Sequence, residues 1–329
     1  MTVEYARGTN NHDLPMSAVA AVGLTKSFGK KPAIDSLDFV FLPIGITGLI
    51  GRNGAGKTTL LKLCAGLTPK SSGSLEVWGQ TPLNNLEVLS KLIYSYHDVR
   101  YSSGLKCKTI LTDYQTMFPN FSIDFALGLL DYFDIDAKKR YSRLSQGTKS
   151  TFNFICALAA RTPLTMLDEP TLGMDVTVRK AVYEVLVREY AENPRAFVIS
   201  SHLMSEIENF LDDVLIIDQG KLVLHDSIEN MRQSAYRLQG SREILESFCT
   251  GKRVLYKEHA ETKSLAVIHE AADERVLREA QELGLNLSAV RPEDLYVYLT
   301  QEYKGGDLES LWSGQSDSGQ VSDPSQEQR

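Results

Sequence analysis

Hydrophobic positions along this chain follow two rhythms. "SAVAAVGLTKSF" (residues 17–28) and "AIDSLDFVF" (33–41) predict a pair of early strands, the second by its apolar–polar alternation. Further on, "LTMLDE" (164–169), "AFVISSH" (196–202) and "VLIIDQG" (214–220) are short apolar runs that end in polar residues. Such runs predict strands of a parallel sheet covered on both faces. Helical spacing occurs in "TILTDYQTMF" (109–118), "SIDFALGLLDYFDI" (122–135), "GTKSTFNFICALAA" (147–160), "VRKAVYEVLVREYAE" (178–192) and "LMSEIENFL" (203–211). Strands alternating with helices imply an α/β fold with helices on both sheet faces. In such sheets ligands gather beyond the C-terminal strand ends, where this chain puts its unusual polar residues. "QGKLVLHDS" (219–227) predicts a turn and a last hairpin strand, and residues 90–120 are the least regular part. A second region begins near Met231, with "SLAVIHE" (264–270) as strand and "REAQELGL" (278–285) as helix.

Composition narrows this picture by exclusion. The 329 residues suffice for one large core with a smaller appendage, and 43% hydrophobic with 23% charged content is ordinary globular protein. The formal net charge of −7 argues against nucleic acid as the main partner. Five acids against one base in residues 305–329 supply most of that excess, in a Gly/Ser/Gln-rich tail predicted to be disordered. Cys64, Cys107, Cys156 and Cys249 form no CxxC pair, which suggests reduced thiols in a cytoplasmic setting. No apolar segment follows a basic start, so no secretory leader is expected. The longest apolar run, Phe39 to Ile50, is broken by Pro43, Gly45 and Gly48 and falls short of the ~20 residues a membrane helix needs.

The chemistry concentrates in "LIGRNGAGKTTLLKLCAGL", residues 49–67. Gly51–Arg52–Asn53–Gly54–Ala55–Gly56–Lys57–Thr58, followed by Thr59, fits GxxxxGK[ST] between a predicted strand and a predicted helix. Glycines let successive backbone N–H groups turn toward one anion, and the following helix adds its N-terminal dipole. Lys57 would bridge the terminal phosphates and Thr58 would ligate Mg²⁺. Downstream, Asp168 suits an outer-shell or water-mediated Mg²⁺ partner, and Glu169 suits polarisation of a water attacking the γ-phosphate.

Three further pieces carry a family resemblance. "LSQGT" (144–148) resembles the LSGGQ signature of ABC-transporter ATPases, with Gln146 in place of the first glycine. "TLGMD", ending at Asp175, resembles their D-loop, and "VISSH", ending at His202, their switch histidine. The elements occur in the family's order, over residues 17–230. The resemblance implies a P-loop NTPase core with a mostly parallel sheet, an ABC-type helical subdomain near 90–160 and antiparallel β elements. It further implies ATP and Mg²⁺ as cofactors and an ATP hydrolase. Phe28 stands where the family stacks an aromatic on adenine; a strand-end core phenylalanine is the rival. Ser145, Gln146 and Gly147 would face ATP held by a second subunit, although Ser145 also suits a plain helix N-cap. His202 would join Glu169 in catalysis, its alternative being a capping or core histidine. The family's Q-loop glutamine is missing from "LIYSYHDVRYSSG" (92–104); Asp98 is the equivalent expected to reach the metal, with His97 its neighbour.

One phosphate loop and one signature per chain imply a dimer with two composite sites, as a homodimer or with a paralogous subunit. The partner implied is a separately encoded transmembrane permease, with the chain peripheral on the inner face of the cell membrane. Residues 117–150 resemble the matching region of ATPase subunits of ABC-2-type bacterial exporters, and "PEDLY" (292–296) resembles their C-terminal motif or is a helix start with an acidic first turn. The resulting domain plan is a flexible lead-in over 1–16, an ABC ATPase domain over 17–230, a small α+β accessory region over 231–304 and the tail. A soluble non-transport ABC ATPase and a weakly hydrolysing regulatory subunit are the competing readings.

Overall fold

The structure, a computed structural model, describes residues 17–259 and 263–300. The expected lead-in over 1–16 and the tail over 305–329 lie outside the described residues.

Fully apolar runs build the centre. Strands β1 (Val19–Phe28), β2 (Lys31–Phe41), β3 (Gly45–Ile50) and β4 (Ser72–Val77) open the chain, followed by β5 (Leu92–Tyr96), β6 (Leu164–Asp168), β7 (Ala196–Ser201), β8 (Asp213–Asp218) and β9 (Lys221–Ser227). The main sheet has the order β5-β6-β7-β3-β8-β9, parallel except for the antiparallel edge strand β9. Every residue of β3, β6 and β7 is buried, as expected of strands covered on both faces. The turn from β8 to β9 has positive φ at both Gln219 and Gly220, the geometry that matches the twist of a tight hairpin. β2, β1 and β4 form a separate antiparallel sheet.

Helices Cys107–Met117, Ile123–Tyr132 and Gln146–Ala159 pack as a layer between β5 and β6 in sequence, around Ile110, Leu130, Phe152 and Ile155. The last of these helices is buried along nearly its whole length, which explains its weak polar face in sequence. All four cysteines are buried free thiols, and burial pushes the Cys64 thiol up to about 12.

Beyond β9 comes a second, four-stranded antiparallel sheet: β10 (Tyr236–Gly240), β11 (Val254–His259), β12 (Ser264–Ile268) and β13 (Asn286–Ala289), in the order β11-β12-β10-β13. Helices Arg242–Cys249 and Glu274–Glu282 cover it through a small core that includes Leu238, Leu245, Phe248 and Val276. The final helix Pro292–Thr300 touches this sheet, with Tyr298 stacked on Tyr256 of β11, and also reaches beyond it. Its Leu295 and Tyr296 join the large core of the main sheet, and Ser205 Oγ donates to Glu293 Oε1 at 2.8 Å.

The helix expected over 203–211 is the clearest local departure: only a single 3₁₀ turn, Met204–Glu206, forms there. Met204, Ile207 and Leu211 are buried at helix-like spacing, yet the segment must return at once to β8. Asp212 is tied to β3 by its own N–H to the Ile46 carbonyl and by its carboxylate to the Ile46 N–H, and this leaves no room for further turns. Residues 90–120, read as irregular, contain the edge strand β5.

Candidate functional site

The three strands β6, β7 and β3 are neighbours, and their C-terminal ends carry the polar residues singled out from the sequence. After β3 the chain enters the glycine loop and then the helix Lys57–Cys64, whose N-cap is Gly56 at φ 112. A Cβ on Gly56 would stand 2.5 Å from the Ala33 carbonyl oxygen, and one on Gly51 would stand 2.5 Å from the Ile217 oxygen. Both glycines therefore serve close backbone packing as well as loop curvature. The Gly220 N–H donates to the Ala55 carbonyl at 2.9 Å, tying the loop to the β8–β9 turn. Arg52, Asn53, Gly54 and Thr58 remain exposed, Thr59 is half-buried, and Lys57 is buried.

Lys57 Nζ donates to the Gly51 carbonyl at 2.7 Å and lies 3.2 Å from Glu169 Oε1. That second approach is an ion pair without hydrogen-bond alignment, so Glu169 Oε1 is buried with no hydrogen-bond partner. Glu169 Oε2 is 2.8 Å from His202 Nδ1. Glu169 holds φ 48, uncommon outside glycine, and its N–H donates to Ser200 Oγ at 2.9 Å. One carboxylate thus reaches a lysine from the loop and a histidine from the end of β7.

Asp168, the last residue of β6, is held differently. Ser200 Oγ donates to its Oδ1 at 2.6 Å and Tyr94 Oη to its Oδ2 at 2.9 Å. Burial, and secondarily the Asp168 charge, push the Tyr94 hydroxyl far above the usual tyrosine range, so it stays protonated and donating. Asp168 is buried yet enters no ion pair among the described residues. Neither Tyr94 nor Ser200 was singled out from the sequence. Ser200 left one signal, a polar residue late in an apolar strand; Tyr94 left none.

Ser145, Gln146, Gly147 and Asp175 gather in a second cluster. Ser145 caps the helix Gln146–Ala159, accepting from the Thr148 N–H at 3.2 Å. A Cβ on Gly147 would stand 2.6 Å from the Gly173 oxygen, and Ser150 Oγ donates to the Leu172 carbonyl at 2.9 Å. Asp175 caps the helix Val176–Glu192 through the N–H groups of Thr177 and Val178. Gln146 Nε2 reaches the His97 carbonyl at 3.3 Å. Asp98 itself joins neither cluster by a hydrogen bond; its carboxylate pairs with exposed Arg100 at 3.1 Å. Phe28 is 61% exposed at the tip of the β1–β2 hairpin, with Lys26 Nζ 4.8 Å from its ring centre. That hairpin continues into Ala33, whose carbonyl meets Gly56 and Gly220 beside the glycine loop.

A glycine loop leading into a helix, with a buried lysine facing an acid at the end of a neighbouring strand, defines a P-loop nucleoside triphosphatase. Residues 34–172 match the family model described as "ABC transporter". YtrB of Bacillus subtilis, an ABC transporter ATP-binding protein, is 28% identical over 59% of this chain and 66% of its own length. The bacitracin transport ATP-binding protein BcrA of Bacillus licheniformis is 29% identical over 65% of this chain and 71% of its own. Among solved structures, the ATP-binding cassette MJ0796, described as a dimer in a post-hydrolysis state bound to ADP and Pi, aligns with TM-score 0.55 at 16% identity. It covers 64% of this chain and 98% of that one, a likeness of fold. Over residues 34–172 the chain carries the ABC-transporter ATPase domain, its relatives are ATP-binding subunits, and the enzymatic class they support is ATP hydrolase. No helix among the described residues is long and apolar enough to cross a membrane.

Proposed function

We propose that this chain binds and hydrolyses ATP to power export through a separately encoded transmembrane permease, working as a dimer that closes on nucleotide. The observation that carries the reading is the convergence of Lys57 and His202 on the single carboxylate Glu169, beside Asp168. Lys57 and the loop from Gly51 to Thr59 hold the phosphates of ATP, and Phe28 offers a ring for the adenine. Glu169 takes the proton side of the attacking water, and His202 keeps its carboxylate turned toward the reaction. Ser145, Gln146 and Gly147 with Asp175 face the nucleotide of the second subunit, which supplies the differential contacts that closure needs. Moving a closed fraction from about 1% to 99% takes ~5.5 kcal/mol of preference.

The residues also fit Mg²⁺. Asp168 is a buried carboxylate whose charge no cation of the described chain offsets, and the hydroxyl of Thr58 is exposed at the helix start. No group of three or more His, Cys, Asp or Glu among the described residues could cage a metal, in keeping with an ion that shares its shell with phosphates and water. When bound, the ion would neutralise charge building on the β- and γ-phosphates. Asp98, paired with Arg100 in this structure, would turn to the ion as a further ligand, as the family resemblance implies.

The decisive variant is Glu169→Gln. Saturating MgATP is expected to leave it as a stable nucleotide-bound dimer with turnover lowered at least about 100-fold, read by light scattering and phosphate release. Monomers under those conditions would contradict the composite-site mechanism. The names of YtrB and BcrA support transport; co-purification of a membrane subunit with the chain tests it.

A further inference from the structure

The two carboxylates at the end of β6 are adjacent in sequence but are compensated in opposite ways. Glu169 faces a lysine; among the described residues the hydrogen bonds to the Asp168 carboxylate come from neutral hydroxyls alone. The Ser200 hydroxyl has one proton, and its oxygen already accepts the Glu169 N–H, so that proton goes to Asp168 Oδ1. The other oxygen, Oδ2, takes its proton from Tyr94 on the opposite flanking strand, since β6 runs between β5 and β7. Parallel pairing sets this up: Tyr96 stands level with Asp168 across β5 and β6, and Ser200 stands level with it across β6 and β7.

Two donors on two oxygens, supplied by two strands, stop the carboxylate from rotating about its own bond. Neither donor carries charge, so the full negative charge is oriented without being neutralised. A lysine or arginine in place of Tyr94 would orient the group as firmly and cancel what a cation needs. The Tyr94 ring is held independently of its hydroxyl, stacked on Tyr96 with centroids 5.4 Å apart.

We propose that Tyr94 is a positioning residue for metal-dependent nucleotide binding: its hydroxyl, acting with that of Ser200, fixes the plane of the Asp168 carboxylate toward the divalent ion that accompanies ATP. The inference rests on the assignment of Asp168 to that ion. Losing the hydroxyl leaves the carboxylate hinged on one oxygen and Oδ2 buried without a donor. Partners that orient a metal's ligands typically govern about 10–100-fold of metal affinity.

Tyr94→Phe in the full chain is the test, because phenylalanine keeps the ring and its stack. A fluorescent ATP analogue is titrated without metal and over a range of Mg²⁺ concentrations, and thermal unfolding is followed alongside. The expected result is metal-free nucleotide affinity within about twofold of the parent, and a Mg²⁺ half-saturation raised about tenfold or more. Hydrolysis at low Mg²⁺ falls and recovers at high Mg²⁺. A Mg²⁺ half-saturation equal to the parent's overturns the proposal, whatever the melting temperature does. An equal loss of affinity with and without metal overturns it too, since that marks a general structural defect. If the parent chain shows no Mg²⁺-dependent nucleotide binding, the assignment of Asp168 fails first and the role of Tyr94 falls with it.

Discussion

The main sheet and the C-terminal sheet of this chain bury their residues by different rules. In β3, β6 and β7 nothing is exposed, and just past their ends buried Lys57 and half-buried His202 meet half-buried Glu169. In the C-terminal sheet, β11 runs out into exposed Lys257, Glu258 and His259, and its ion pairs are surface ones such as Lys257 with Glu246. A buried charge without a partner is costly, so buried charges imply partners, here Lys57 with Glu169 at one end of the sheet and Arg195 with Glu189 at the other. Solvent-screened pairs carry no such implication. The contrast separates a main sheet that gathers charge at its strand ends from a C-terminal sheet that leaves its charge to solvent.

Lys57→Ala should give the largest effect. Two or more charge-assisted hydrogen bonds at about 1.5–3 kcal/mol each predict a loss of nucleotide affinity of at least about 100-fold, measured by the same fluorescent titration. Lys257→Ala, the control from the other sheet, should leave that affinity unchanged. If the two variants bind alike, the division between the sheets is wrong.

Leu238→Ala probes the second region's own core. Leu238 is fully buried in β10, so the substitution should cost about 2–5 kcal/mol locally, read by denaturant unfolding. Nucleotide affinity should stay within about twofold of the parent. A parallel loss of affinity would mean that the contact of helix Pro292–Thr300 with Met204–Glu206, just past His202, welds the two regions into one cooperative unit.

The smallest effect concerns His269. Burial, with Arg253 nearby adding to it, holds its imidazole below the usual histidine range, and its Nδ1 is buried without a hydrogen-bond partner. The folded chain therefore prefers the neutral ring. Its contribution is complete above the unfolded value of about 6.5 and declines as pH falls below it. Between about pH 7.5 and pH 5.5 the parent should lose more stability than His269→Gln, seen as a larger drop in urea midpoint. Equal drops would remove His269 as the source.

How much of this was legible in the sequence depends on range. The apolar run of β1, the alternation in β2, the apolar runs of β6, β7 and β8, and the Gln219–Gly220 turn are local patterns, and each formed as the sequence predicts. Strand β5 was hidden because "LIYSY" is short and sits beside polar loops, and β10, β11 and β13 were hidden because their apolar residues face a small core. At the site, Lys57, Asp168, Glu169 and His202 could be named from motifs, but nothing in those motifs states that His202 Nδ1 meets Glu169 rather than capping a helix.

By itself the sequence determined the glycine loop, the acidic strand end and the alternation of strands and helices, because each depends on neighbours a few residues away. Only the tertiary structure decided that Tyr94 and Ser200 divide the oxygens of Asp168, that Gly147 lies against Gly173, and that the last helix joins the main core while touching β11. Those contacts depend on which strands lie side by side. Tyr94 and Asp168 are 74 positions apart in the chain and meet because β5 pairs with β6, a choice made by crossover connections and by the burial of both sheet faces at once.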